Sequence, residues 1–461
     1  MSAYEERLGT QKMLPLILSM SLPAVAAQFV NLLYSIIDRI YIGHMPDTGT
    51  YALAGIGITS SIIILIAAFA QLVGGGGAPL ASMALGSGDR EYAGKILGNG
   101  FILLLVFSVI FCVPVYIFMD DILLLTGASD ITLPYAKDYL FIYLIGTVFV
   151  MISSGLNVFI NAQGRSKTAM ISVLIGAAAN IALDPLFIYV FDLGVKGAAL
   201  ATIISQFLSA AFIIGFLSSS KASLRLEKRF LKPDIKIIKK ICSLGIGPFV
   251  MASTESIIGF VFNGTLRTFG DIYVSALTVM QSAIQMVSVP LSGFSQGFIP
   301  IISYNYGTGN TKRIKECFRI AMTITFVVNF VLLLAMAIFP EFTASLFTND
   351  ENLIEVTGKY MPVFVAGMTI FGLQRCCQNM FIALGQAGTS LFIALLRKVI
   401  LLVPLILIFS RIFGITGVYA AESVADVIAA TVCTVIFAFR FPKIMKNKEA
   451  QLQSMQQEDT L

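Results

Sequence analysis

The stretch NIALDPLFIYVFDLGVKGAALAT, residues 180–202, begins with two polar side chains, Asn180 and Asp184, and a proline in an apolar segment. Asn180 and Asp184 are four residues apart and therefore share one helical face. Pro185 has no N–H, so the carbonyl of Ile181 loses its helical partner. An acid in the middle of a membrane span costs at least about 2.5–3.5 kcal/mol on insertion scales, so it faces a cavity or a partner. The stretch predicts a polar site inside a bundle of apolar helices.

The composition of the whole chain agrees with a membrane setting. Of 461 residues, 57% are hydrophobic and 12% are charged, with a mean hydropathy of +0.86, whereas soluble domains are about 25% charged. A spanning helix needs roughly 20 apolar residues, and about twelve such stretches lie between residues 14 and 440. We predict an all-α integral membrane protein with twelve transmembrane helices.

Basic residues predict the orientation of these spans. Of the 31 Lys and Arg residues, 22 fall in segments on the side of the N-terminus and six on the other side. Lys and Arg concentrate in cytoplasmic loops, so both termini are expected in the cytoplasm and the chain in the plasma (inner) membrane. The net charge of +5 then reflects topology, and no nucleic acid partner is expected.

The chain also repeats itself, which predicts two halves. Matching Pro and Gly residues recur 220 or 221 positions apart: Pro79 and Pro300, Gly86 and Gly307, Gly88 and Gly309, Gly194 and Gly414. A segment with eight basic residues between Lys221 and Lys240 separates the copies. We predict an N-lobe at 1–218 with six spans, a basic cytoplasmic linker at 219–240, a C-lobe at 241–441 with six spans and a polar cytoplasmic tail at 442–461. Parallel halves of this kind are typical of transporters that move around a central site.

No nucleotide-binding loop of the form G-x-x-x-x-G-K-[ST] occurs in the sequence. The glycine run at 74–77 lacks the lysine and lies in a span, where close helix packing and a bend explain it. Transport would therefore be driven by an ion gradient or by the substrate. An enzyme would need a nucleophile with a base or a metal constellation, and a single histidine, His44, argues against one.

Helical spacing and depth in the membrane predict a candidate cation site around Asp184. A stripe of small and polar residues at i, i+4 spacing lies on span 5: Ser172, Gly176, Asn180 and Asp184. Asp38, Asp184 and Thr202 all fall on the order of 6–10 Å below the outer boundary. Oxygen ligands of this kind suit a hard cation such as Na⁺, and two neighbouring acids would also hold a proton for exchange. A purely structural role, with Asn180 and Asp184 bridging helices, is the third interpretation.

The repeat assigns this chemistry to one half. Pro404 matches Pro185, but the positions that correspond to Asn180 and Asp184 are Val399 and Val403. The second half is therefore expected to keep the helix bend without the acid.

Four motifs carry a family resemblance: FINAQGRSK (159–167), NIALDPLFI (180–188), GVKGAALATIISQ (194–206) and GITGVYA (414–420). The chain resembles the multidrug and toxic compound extrusion (MATE) family, in its bacterial MepA-like and DinF-related branch, over nearly its whole length. The resemblance implies twelve helices in two lobes around a central cavity, and export of amphiphilic or cationic compounds against inward Na⁺ or H⁺ by alternating access. It also implies an N-lobe cation site at Asp38, Asn180, Asp184 and Thr202, with no other cofactor.

The C-lobe departs from the pattern of another branch of that family, in which a Glu of span 7 and an Asp of span 10 bind the cation. Glu255 matches the first, but Phe371 stands where the Asp would be. Glu255 could carry a proton, contact a cationic substrate, or bridge to Gln281 or Arg375. Arg375 is expected to be the only basic residue deep in a span, with Arg397 and Lys398 nearer the inner ends. Glu422 and Asp426 share one face of span 12 and could bridge helices or line the cavity.

Residues expected to contact substrate are Asn31 and Tyr34, which share the face of Asp38, together with Asn157 and Glu255. The expected partners are small amphiphilic or cationic drugs and dyes and the lipid bilayer, and we expect a monomer. A flippase for lipid-linked sugars is the alternative function. It would be expected to line its cavity with several Arg or Lys residues for phosphate groups.

Overall fold

The computed structural model describes residues 3–46 and 48–458. Residues 1–2 of the predicted N-lobe and residues 459–461 of the predicted tail therefore lie outside the described residues. The long helices are α1 Met13–Gly43, α2 Gly49–Gly86, α3 Arg90–Ile117, α4 Leu133–Ala162, α5 Ser166–Pro185 with a π-helical turn Leu186–Val190, α6 Gly194–Ser218, α7 Ile235–Arg267, α8 Asp271–Thr308, α9 Thr311–Ile338, α10 Glu351–Val365 with Gly367–Ala383, α11 from Ala387 to residue 413 with a π-helical segment Leu396–Leu402, and α12 at 415–458. Three short helices, Ala3–Thr10, Met119–Leu125 and Pro340–Ser345, lie outside the spans.

Twelve of these helices are arranged to cross a bilayer. Ten continuous helices in the described residues are long and apolar enough, and the two parts of α10 form a further span with a 43° bend. The longest helix, Ala387–Ser454, has 68 residues and would extend roughly 100 Å if straight. Its backbone breaks at Gly414, where φ is 60° and ψ is −139°, so α11 and α12 are separate crossings. The predicted all-α membrane fold is confirmed. The described residues contain ten or eleven candidate spans, and twelve when the longest helix is divided at Gly414.

The backbone repeats with the interval seen in the sequence. Left-handed φ values recur 220 or 221 positions apart in three pairs of glycines, which are Gly88 and Gly309, Gly164 and Gly385, and Gly194 and Gly414. This conformation strains side chains with a Cβ, so glycine is the usual residue there. The same turns therefore connect the same spans in both halves.

At the end of the bundle that carries the termini, the two halves meet backbone to backbone. A Cβ added to Gly86 at the end of α2 would lie 2.1 Å from the carbonyl oxygen of Tyr304, and one added to Gly307 on α8 would lie 2.1 Å from that of Met83. Real side chains do not approach this closely, so only glycine permits the contact. The halves are closed against each other at this end.

A polar clamp strengthens the closed end. Arg313 on α9 donates from Nη2 to the carbonyl oxygens of Leu8 and Gln11, at 3.2 and 2.9 Å. Asn305 donates to the carbonyl of Leu8 at 3.0 Å. The second half therefore holds the segment that precedes α1.

The segment between α6 and α7 is fixed to the first half. Asn99 accepts a hydrogen bond from the backbone N–H of Asp234 at 2.7 Å, and Gln163 accepts from Ser223 and Leu224 at 2.8 and 2.9 Å. Helix α7 already begins at Ile235, within the segment predicted as linker, and α12 continues through the predicted tail to Glu458.

Candidate ion-binding site and central cavity

The polar stripe on α5 faces the interior. Asp184 is 0% exposed and Asn180 is 2% exposed, and Ser172 and Gly176 are buried on the same face. Asn180 donates from Nδ2 to Oδ1 of Asp184 at 3.1 Å. The i, i+4 spacing thus produces a buried amide–carboxyl pair, as the sequence predicts.

Pro185 determines the backbone beside this pair. It is the last residue of the regular helix, and the π-helical turn Leu186–Val190 follows at once. Because proline cannot donate to the carbonyl four residues earlier, the hydrogen-bond register changes there. The second half has its π-helical segment Leu396–Leu402 just before Pro404, so both halves have irregular helix next to the matching proline.

Asp38 of α1 reaches the same site. Its carboxyl group lies near enough to the carboxyl group of Asp184 for the two to interact electrostatically. A shared proton or a bound cation stabilises two neighbouring carboxyl groups, because two bare negative charges repel each other. The arrangement has the chemistry of a site for H⁺ or a small hard cation.

Three oxygens in this site have no hydrogen-bond partner in the described structure. They are Oδ1 of Asp38, Oδ1 of Asn180 and Oδ2 of Asp184, all buried. Buried polar atoms are usually satisfied, so these oxygens are available as acceptors. Carboxylate and amide oxygens are the ligand types that hard cations take, and the residues present therefore fit either predicted coupling ion.

Tyrosines complete the surroundings. The side chain of Tyr139 lies beside that of Thr202, and Tyr34, Tyr139 and Tyr143 lie close enough to the acids or to one another to interact electrostatically. Tyr139 and Tyr143 stack with ring centroids 5.9 Å apart. Sequence reasoning missed these two residues. The available signal was two tyrosines four residues apart on span 4, at the outer level of the acids.

A cavity of about 310 Å³ adjoins the site on the N-lobe side. The predicted substrate residues Asn31, Tyr34 and Asn157 line it, as do Asn180 and Thr202. Asn157 is oriented by hydrogen bonds from its Nδ2 to Ser172 Oγ and the carbonyl of Ala169, at 2.8 and 2.9 Å. The candidate ion site and the candidate substrate residues of this lobe therefore share one cavity.

A second cavity of about 450 Å³ lies on the C-lobe side. Gln71, Val158 and Gln296 line both cavities, so the two adjoin at the middle of the bundle. Glu255 and Arg375 line the second one. Together the cavities form the central cavity between the lobes.

The C-lobe contains ion pairs that sequence reasoning did not predict. Lys398 bonds Glu255 at 2.9 Å, and Arg397 bonds Asp426 at 2.5 Å and Glu422 at 3.0 Å. Arg397 and Lys398 are only 5% and 4% exposed. The expectation that Arg375 is the only basic residue deep in a span is therefore wrong, because the π-helical segment of α11 turns two adjacent basic residues into the lobe.

These pairs decide two open interpretations. Glu255 bridges to Lys398 instead of Gln281 or Arg375, while its side chain stays 58% exposed towards the cavity. Glu422 and Asp426 bridge α12 to α11 through Arg397. Phe371 stands at the position of the missing Asp. Its ring lies under the guanidinium groups of Arg397 and Arg375, and its centroid is 4.1 and 5.4 Å from their Cζ atoms.

The structure thus places the predicted residues in two groups. Asp38, Asn180, Asp184 and Thr202 come together in the N-lobe beside Asn31, Tyr34 and Asn157. Glu255 lies apart from them, on the other side of the central cavity.

Comparisons with known proteins agree with this architecture. The sequence profile of the MatE family matches residues 23–186 and 249–408, which covers more than half of the chain. The multidrug export protein MepA of Staphylococcus haemolyticus strain JCSC1435 is 27% identical over 410 residues, covering 89% of this chain and 90% of that protein. The multidrug export protein MepA of Staphylococcus aureus strain MSSA476 is 26% identical over 419 residues, with 90% and 91% covered.

Solved structures show the same fold. A crystal structure of MATE in the bent conformation superimposes with a TM-score of 0.90 at 22% identity, over 97% of this chain and 99% of that one. The outward-facing conformation of a multidrug resistance MATE family transporter of the MOP superfamily gives a TM-score of 0.85 at 23% identity, over 94% and 96%. With both lobes matched by the family profile and the whole fold shared, this chain belongs to the MatE family of membrane transporters.

Proposed function

We propose that this protein is a secondary active exporter that carries amphiphilic, often cationic, organic compounds outward against inward Na⁺ or H⁺. The observation that carries the proposal is the pair of the half-buried Asp38 and the buried Asp184 beside a cavity between two lobes. The MepA relatives, which are named multidrug export proteins, support drugs and dyes as the substrate class.

The coupling ion is proposed to bind at Asp38, Asn180, Asp184 and Thr202. Asn180 and Thr202 also line the N-lobe cavity, where Asn31, Tyr34 and Asn157 would contact substrate. A change in the protonation or ion occupancy of the acids would change the polarity of the same cavity wall. Ion and substrate would therefore influence each other's binding through shared residues, as exchange requires.

Alternating access would use the closed end. The glycine contact of Gly86 with Gly307 and the clamp of Arg313 hold the halves together there. Rocking of one lobe against the other around the central cavity would open this end. One chain supplies the carboxyl pair and both sides of the cavity, which supports a monomer as the acting unit.

A flippase for lipid-linked sugars is the weaker candidate. Such a substrate would need several unpaired cations for its phosphates. Of the three basic residues near the C-lobe cavity, Arg397 and Lys398 are already paired with acids.

The experiment that tests the function is dye efflux from proteoliposomes under separately imposed Na⁺ and H⁺ gradients. The wild type is expected to move a cationic dye with one gradient or both, and Asp184→Asn is expected to lose this transport. Asp192→Asn is the matched control, because Asp192 is an exposed acid at the end of the same helix with a left-handed φ of 52° that Asn tolerates. Gradient-driven efflux by Asp184→Asn at the wild-type rate would refute the coupling site.

We also propose that the end carrying the termini faces the cytoplasm of the plasma membrane, since most basic residues lie there. A cysteine at Ser223 is expected to resist an impermeant thiol reagent added to intact cells. A cysteine at the exposed Asp130, in the loop at the other end, is expected to react. The reverse labelling pattern would invert the topology.

A further inference from the structure

Among the described residues that line the C-lobe cavity, Arg375 is a cation without a salt-bridge partner. Lys398 is engaged by Glu255, and Arg397 by Glu422 and Asp426. Among the described residues, no carboxylate lies within salt-bridge distance of Arg375. Glu422 and Asp426, which pair with Arg397, are 6% and 0% exposed. They do not line the cavity, so they do not contact Arg375 from the cavity side.

Arg375 is nevertheless held in place by neutral groups. Its Nη1 donates to Ser292 Oγ at 3.0 Å and to the carbonyl of Ser288 at 3.3 Å, and its guanidinium lies over the ring of Phe371. Its buried Nε has no hydrogen-bond partner. A charged group withdrawn from water normally finds a counterion. The described residues orient Arg375 without a carboxylate in direct contact, although Glu255 and Asp426 act on it from a longer distance.

The rest of the cavity suits the body of an amphiphile. Met251, Ile299 and Ile382 supply apolar wall, and Gln378 and Asn379 supply amides. A volume of about 450 Å³ is in the range of sites for drug-sized molecules.

From this charge balance we infer that the C-lobe side of the central cavity binds the carboxylate of an amphiphilic substrate through Arg375. The inference deepens the proposed export function and rests on it for the direction of transport, but not for binding. A guanidinium matches a carboxylate in both charge and geometry. Lys398 makes the site possible, because it neutralises the one acid that would otherwise repel the ligand.

The test uses equilibrium binding to purified protein in nanodiscs, with no ion gradient. The probes are a dansyl-labelled undecanoate and its methyl ester, which share the apolar body and differ in charge. The wild type is expected to bind the carboxylate more tightly than the ester. Arg375→Gln is expected to weaken carboxylate binding about tenfold and to leave ester binding unchanged, while Arg375→Lys loses less.

Two further variants sharpen the result. Lys398→Gln leaves Glu255 without its cation and is expected to weaken carboxylate binding although Arg375 is intact. Arg267→Gln, at a residue 81% exposed at the C-terminal end of α7, is the control and is expected to bind both probes as the wild type does.

The inference is overturned if Arg375→Gln weakens the binding of both probes equally, because Arg375 would then shape the cavity without distinguishing a charged ligand from a neutral one. It is also overturned if Arg375→Gln leaves the preference for the carboxylate intact. Failure of the export function is distinguishable, since it would abolish gradient-driven efflux while the charge preference in binding persists. Asp184→Asn is expected to show that separation directly.

Discussion

The two lobes have similar backbone conformations, but they bury different charged side chains at corresponding positions. Each has a π-helical segment beside a matching proline, at Leu186–Val190 and at Leu396–Leu402. Among the described residues of the N-lobe, no basic side chain forms a salt bridge with Asp38 or Asp184, whereas in the C-lobe Arg397 and Lys398 pair with acids. The duplicated irregular helix therefore supports an exchangeable site in one lobe and a fixed ion network in the other.

The difference lies in the source of the compensating charge. In the C-lobe the chain itself supplies cations, so the network needs nothing from solution. In the N-lobe a proton or a small cation from solution can relieve the repulsion of the two acids. An occupant that comes from solution can also leave, which a coupling site requires.

The largest contrast is expected in stability. Arg397→Gln leaves Glu422 and Asp426 buried without their cation, and breaking such a pair typically costs about 3–5 kcal/mol. We expect a clear fall in the thermal unfolding temperature of the purified protein. Asp184→Asn should change it little, since it removes a repulsive charge.

Arg411→Gln is the control for Arg397→Gln, because Arg411 lies exposed on the same helix. Equal unfolding temperatures for Arg397→Gln and the wild type would show that the C-lobe pairs are not structural.

The next contrast concerns transport. Asp38→Asn and Asp184→Asn are each expected to lower gradient-driven efflux at least about tenfold, and the double variant should be little worse than either, because the two acids act as a unit. Glu255→Gln should cost less than either change. Additive losses in the double variant would indicate two separate sites.

Val403→Asp asks whether the C-lobe can be given the missing acid. We expect no rescue of Asp184→Asn. Val399, which corresponds to the buried Asn180, is 45% exposed and supplies no amide. Recovered efflux would show that the lobes are chemically interchangeable.

The smallest contrast concerns the tyrosines. Tyr139→Phe removes a hydroxyl that lies beside Thr202, and the loss of one hydrogen-bonding group is worth about 0.5–1.5 kcal/mol. We expect a two- to tenfold change in the ion concentration that gives half-maximal efflux, with little change in folding. Tyr116→Phe, which removes a hydrogen bond to the carbonyl of Phe141 away from the site, should leave that concentration unchanged.

The sequence was sufficient for the parts of the molecule that follow simple periodicity. Apolar length predicted the spans, and i, i+4 spacing with depth brought Asp38, Asn180, Asp184 and Thr202 together. The ion pairs of the C-lobe could not be predicted in this way. A π-helical segment changes which side chains face inward, so a regular helical wheel cannot place Arg397 and Lys398.

Partner choice among buried charges has a similar limit. Glu255 had several polar residues within plausible reach, and only the packing of α7 against α11 selects Lys398. Tyr139 and Tyr143 were overlooked because a tyrosine in a membrane span can face the lipid, pack in the core of the bundle or line a binding site. Residue type alone does not separate these environments.

The clamp of Arg313 on Leu8 and Gln11 has a consequence for how fast the protein can cycle. In each of these hydrogen bonds the acceptor is a backbone carbonyl oxygen. When the bond breaks, water can replace the guanidinium, so the net loss of free energy is only about 1–3 kcal/mol. Gly86 and Gly307 add contact without side chains that would have to change rotamer. The barrier to opening is therefore made of small, independent increments, so turnover can be adjusted by single substitutions at this end without altering what the cavity recognises.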